Sequence, residues 1–126
     1  MDGISALRVL PEAHAQTIRD LQPAGEALSG RARQVAAFAD PTRLALAIAL
    51  RAGTEVCVCD LSWIVARPVQ LVSHHLGKMR AAGVVSSRKE GRLVMCTLTP
   101  DGVQLLEALA PGPSAAALGP SVRAQA

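Results

Sequence analysis

Aromatic side chains are nearly missing from this sequence: of 126 residues one is Phe, one is Trp and none is Tyr. That shortage disfavours a β-sandwich built on aromatic and β-branched pairs. It also disfavours recognition of single-stranded nucleic acid or RNA, which relies on aromatic platforms for unstacked bases. Long apolar runs are missing as well. The longest, Leu44 to Leu50, has seven residues, against the roughly 20 of a membrane span, so no membrane partner is expected. Residues 1–10 include Asp2 and Arg8 and lack a basic stretch followed by an apolar run and a cleavage site, so no secretory signal is read and the expected location is the cytoplasm. Cysteine is scarce, at Cys57, Cys59 and Cys96 only. An odd count in a reducing compartment points away from a disulfide framework and towards thiols open to metal or redox chemistry. There is no Gly-rich phosphate loop, no paired carboxylates and no Ser-His-Asp pattern, which excludes an enzyme and an organic cofactor.

What is abundant is alanine, 23 residues in a chain that is 50% apolar. Small side chains let helices approach closely, and the length suits one domain, so a mainly α fold is expected. A core of this size is modest, and a dimer interface would supply further burial. The net charge of +3 is unevenly placed. Between Arg67 and Arg92 lie Arg67, Lys78, Arg80, Arg88, Lys89 and Arg92 against the single anion Glu90, while the other 100 residues carry seven cations and nine anions. A local cationic field of that kind suits a phosphate backbone.

Helical spacing of Ala15, Ile18 and Leu21 predicts a helix from Pro11 to Leu21, interrupted by Pro23 and Gly25. A second runs from Glu26 to Ala39, striped by Leu28, Ala32, Val35, Ala36 and Ala39, and Asp40-Pro41 ends it. Pro41 opens a third, with Leu44, Ala47, Ile48 and Arg51 on one face and Gly53 as its stop. A fourth begins near Val56 to Cys59 and turns Leu61, Ile64 and Val65 inward. After the short break Ala66 to Pro68 comes a fifth, with Val69, Val72, Leu76 and Met79 at spacings of three and four, ending at Gly83. Two helices joined so tightly form a helix-turn-helix. Val84 to Arg88 and Leu93 to Leu98 then read as strands around Lys89-Glu90-Gly91-Arg92, a β-hairpin wing. A last helix follows Thr99 with Val103, Leu106 and Leu109 on one face. The expected fold is a dimeric winged helix-turn-helix over residues 26–110. It is preceded by an N-terminal arm and helix, 1–25, and followed by a disordered Pro, Gly, Ala and Ser tail, 111–126. Leu21, Leu105, Leu106 and Leu109 are the candidates for the dimer contact.

On the recognition helix Gln70, Ser73 and His74 lie opposite the apolar stripe, which makes them candidates for base edges in the major groove. Lys78, Arg80, Arg88, Lys89 and Arg92 are candidates for phosphates. His75, beside Leu76, reads as a packed histidine bonded to backbone. Cys57 and Cys59, at a helix start, can both turn to one soft ion, and a helix N-terminus lowers thiol pKa.

Glu55-Val56-Cys57-Val58-Cys59-Asp60-Leu61, then Val72-Ser73-His74-His75-Leu76, then Arg88-Lys89-Glu90-Gly91-Arg92 together resemble the ArsR/SmtB family of metal-responsive winged-helix repressors. The likeness spans Ala36 to Leu98 and is nearest to the CadC-type cadmium and lead sensors. It implies a homodimer that binds double-stranded operator DNA and is released by a soft divalent ion, cadmium, lead or zinc. A thiol-redox response, or a response to trivalent arsenic, are the alternatives. The family's arsenic site adds a third Cys where this chain has Ser62. Its cadmium site adds Cys from an N-terminal segment that here offers Ser5, Arg8, Val9, Leu10 and Glu12. Its site of Asp and His on the last helix has no counterpart, since residues 101–110 lack His. His14 could complete a mixed sulfur and nitrogen site across the dimer, Cys96 could take part although its neighbours suggest packing inside or against the hairpin, or two thiolates could suffice.

Overall fold

The computed structural model describes residues 9–112. The tail expected beyond residue 112 and the start of the arm before residue 9 lie outside the described residues. The elements run α1 (Glu12–Asp20), α2 (Gly25–Ala37), α3 (Pro41–Gly53), β1 (Glu55–Cys57), α4 (Val58–Val65), α5 (Val69–Ala81), β2 (Val85–Glu90), β3 (Leu93–Leu98) and α6 (Pro100–Leu109).

Local chemistry sets most of these limits. Asp40 caps α3, its Oδ2 accepting the Arg43 N–H at 3.0 Å, and Pro41 fills a first-turn position that needs no donor. At the end of α4 the chain turns through Ala66 in the left-handed region, φ 55°. The Arg67 N–H returns to the Ser62 carbonyl and the Ala66 N–H to that of Trp63. Those two bonds close a helix end of the kind usually built on glycine. Pro68 then starts α5, so the break falls where the sequence places it. In the wing, Glu90 pairs with Leu93, leaving a two-residue turn, Gly91-Arg92. Gly91 takes φ +60°, the first central position at which such a turn requires glycine.

One element differs from expectation. The residues read as the start of α4 instead form β1, antiparallel to β3 with Val56 opposite Cys96 and Cys57 opposite Met95. The sheet is therefore three-stranded, in the order β1-β3-β2. Cys57 closes the strand and caps α4 in an extended conformation, and the helix proper begins at Val58.

The core gathers Leu46, Ala47 and Leu50 of α3, Leu61 of α4, Val72, Leu76 and Met79 of α5, Cys96 and Leu98 of β3, and Leu106 of α6. Two inward assignments on α4 are corrected: Ile64 is 51% exposed and Val65 only half-buried, because this short helix buries one residue, Leu61. Among the proposed dimer residues, Leu106 is fully buried in the core and Leu105 packs against it, whereas Leu21 and Leu109 are exposed. Arg51 is buried among apolar neighbours. Its Nη1 donates to the Ala110 carbonyl at 2.6 Å and faces Glu107 at 3.7 Å, which ties the end of α6 to α3.

Candidate nucleic-acid interface and thiol cleft

With Val72, Leu76 and Met79 buried, α5 exposes Gln70, Ser73 and His74 on its opposite side. The cations Lys78, Arg80, Arg88, Lys89 and Arg92 are exposed too. They do not form one set. Arg88 is held by Glu55, with Nε and Nη2 donating to its two carboxylate oxygens at 3.0 and 2.7 Å, and Nη2 also reaches Glu90 at 3.3 Å. That pairing keeps the Glu55 carboxyl below its usual range and raises Arg88. It also staples β1 to β2 across β3. Lys89 and Arg92 have no ion-pair partner among the described residues. Lys78 lies away from the wing, in a crevice shared with Arg33 and Arg43.

His75 is bonded to a side chain rather than to backbone. The Arg43 Nη1 donates to its Nδ1 at 3.3 Å, while the Arg43 Nε donates to the Ala37 carbonyl at 2.8 Å. An acceptor Nδ1 requires the neutral ring, with its proton on Nε2. Burial pushes the His75 pKa down, and Arg43, His74 and Lys78 push the same way, while Asp40 opposes them. The folded state thus resists a proton that the unfolded chain accepts near 6.5. Stability is full above that value and falls as pH drops through the depressed folded value. The thermal midpoint should decline from neutral to mildly acid pH, and His75→Gln should flatten that decline.

Cys57 is buried and Cys59 exposed, yet both line one cleft of about 200 Å³. Its other walls include Val69 and Ser73 of α5, and Arg92 and Leu93 of the wing. The thiols therefore sit between the recognition helix and the wing, an adjacency that no spacing in the sequence announces. The expected lowering of thiol pKa is corrected for Cys57: burial pushes it up, and although the Asp60 backbone amide draws it down, the Asp60 carboxylate pushes it up again. Cys96 is buried in the core with its pKa raised by burial and lies outside the cleft. His14 is exposed on α1, and among the described residues no group of three or more His, Cys, Asp or Glu is placed to hold a metal ion. One chain thus brings together two soft sulfur donors, which fit a thiophilic ion of low coordination or one that takes further donors from a second chain.

The profile of the bacterial regulatory protein arsR family matches residues 40–87. A transcriptional repressor SmtB homolog from Synechocystis is 38% identical over 100 residues, covering 76% of this chain and 74% of that protein. A cadmium resistance transcriptional regulatory protein CadC homolog from Staphylococcus aureus is 37% identical over 70 residues, 56% of this chain and 58% of its own. A crystal structure of a possible transcriptional regulator for arsenical resistance superposes with a TM-score of 0.54 at 36% identity, covering 60% of this chain and 78% of that one. The chain spans about half to three-fifths of the length of several curated relatives that it matches. Among the described residues no helix is long and apolar enough to cross a membrane.

Proposed function

Because the chain belongs to the bacterial arsR family of regulatory proteins, we propose that it is a repressor that grips operator DNA as a homodimer and releases it when Cys57 and Cys59 take a soft metal ion. The matched relatives are transcriptional regulators, not enzymes. Gln70, Ser73 and His74 read base edges, while Lys78, Arg80, Lys89 and Arg92 hold phosphates. Arg88 reaches a phosphate through Nη1, which makes no hydrogen bond among the described residues. Ile18, Leu21, Leu28, Val35 and Leu109 are exposed on α1, α2 and α6, and the apolar surface that they leave supports a dimer.

One observation carries the regulatory reading: Cys57 and Cys59 share their cleft with Ser73 and Arg92. The thiolates are donors for cadmium, lead or zinc, and His14 from either subunit is the candidate further ligand. Filling the cleft acts on the recognition helix and the wing of the same subunit. Release then requires that the ion bind the DNA-free arrangement more tightly than the DNA-bound one. Burial raises the pKa of Cys57, so an ion that binds there displaces the thiol proton, and metal binding should weaken as pH falls.

The test is a cadmium, lead and zinc titration of the reduced protein on a duplex selected for binding the metal-free form. At least one ion should weaken DNA binding by about 5- to 150-fold, the usual scale of such coupling. Cys57→Ser and Cys59→Ser should keep metal-free affinity and lose the response. Equal DNA affinity with and without all three ions would refute the sensor role.

A further inference from the structure

A crevice between α2, α3 and α5 has a volume of about 260 Å³ and a floor of alanines from α2 and α5. Arg33, Arg43 and Lys78 rim it, and no carboxylate is among its lining residues. Two cations elsewhere are paired, Arg88 with Glu55 and Glu90 and Arg51 with Glu107. Arg33 and Lys78 make no ion pair among the described residues, and both are exposed. Arg43 is fixed in place, because its Nε and Nη2 donate to the Ala37 and Ala36 carbonyls and its Nη1 to His75. Asp40 caps α3 and feels the charge of Arg43, but it does not line the crevice. Three cations from three helices therefore converge on an open crevice whose lining holds no carboxylate, one of them held rigid by the α2 carbonyls.

We propose that this crevice is an oxyanion-binding site for a phosphate group, either a backbone phosphate of bound duplex or a free phosphate ion. A guanidinium with preset geometry and a mobile ammonium are the usual partners of phosphate oxygens. The location gives the site leverage: a phosphate there joins α2, whose Leu28 and Val35 are exposed, to α5, where Lys78 lies one turn beyond His74 and two beyond Gln70 on the same row.

The test uses the full chain and the variants Arg33→Gln and Lys78→Gln, whose exposed side chains make no ion pair among the described residues. Amide signals of Ala36, Ala37, Ala81 and Ala82 are followed by NMR as orthophosphate is added at constant ionic strength against chloride. The pH titration of the His75 ring is recorded in both salts. A free-phosphate site shifts those four amides and raises the His75 midpoint, and both effects vanish in the variants. A duplex-phosphate site leaves orthophosphate silent, but Arg33→Gln, at a residue outside the phosphate contacts already assigned, lowers the log–log salt slope of DNA binding by about 0.9 per subunit. If orthophosphate moves nothing and Arg33→Gln keeps the wild-type slope, the proposal is overturned. None of these outcomes depends on metal binding at the cysteines.

Discussion

A Gly102→Ala substitution is expected to destabilise the domain by about 3 kcal/mol, although the same change inside an ordinary helix stabilises by up to about 1 kcal/mol. Gly102 lies in the first turn of α6, where a Cβ would stand 2.3 Å from the Val84 carbonyl oxygen and 3.1 Å from its carbon. Those are backbone atoms and cannot swing aside. The same oxygen accepts the Thr99 N–H at 3.0 Å. The Thr99 hydroxyl in turn donates to the Gly83 carbonyl at 2.7 Å and accepts the Gly102 N–H at 3.1 Å. Relief of the clash means separating α6 from the residues that lead into β2, and these bonds break together. Domains of this kind are stable by only roughly 5–15 kcal/mol, so the urea midpoint should fall steeply with the m-value unchanged. A midpoint equal to or above that of the wild type would show that α6 can slide without loss.

The second large effect concerns Arg92. In the wild type, cadmium should lower the log–log salt slope of duplex binding by about 0.9 for each wing that gives up a phosphate. Arg92 is half of the two-residue turn at the wing tip and also a wall of the thiol cleft. It has no ion-pair partner among the described residues, so its charge is available to a phosphate while the cleft is empty. Arg92→Gln should reduce metal-free affinity and slope by that same increment, after which added cadmium changes the slope no further. Thiol competition for the metal should be unaltered in the variant, which separates ion binding from its consequence. Release without any change of slope in the wild type would move the coupling to Ser73 or to the dimer contact.

Helix limits were legible where side-chain chemistry is local. Asp40-Pro41 and Gly53 bracket α3 at the residues observed, and Gly91 marks the wing turn. Features that depend on distant partners were not legible. β1 is three residues long and exists because residues 95–97 lie alongside it. Arg51 sits on a helical face with Leu44 and Ala47 and is buried because the Ala110 carbonyl, 59 positions later, accepts from it. Periodicity reports that α4 has apolar residues but not how much of it the core covers, so Ile64 was placed inside and Trp63, 85% exposed, went unremarked. For the thiols, the helix start pointed to a lowered pKa, and the depth of Cys57, which its neighbours in sequence do not report, decides that burial wins. Arg33 and Arg43 belong to no motif, and they meet Lys78 through the packing of three helices.

The strand order β1-β3-β2 leaves both outer strands with an unpaired rim. Such rims invite a strand from another molecule, and proteins discourage this with short edges and charged side chains. Here β1 lasts three residues before the chain turns into α4, and β2 carries the exposed run Ser86-Ser87-Arg88-Lys89-Glu90. The wing's charges therefore guard against edge-to-edge polymerisation in free protein, and a wing stripped of charge to abolish DNA binding would lose its colloidal protection by the same change.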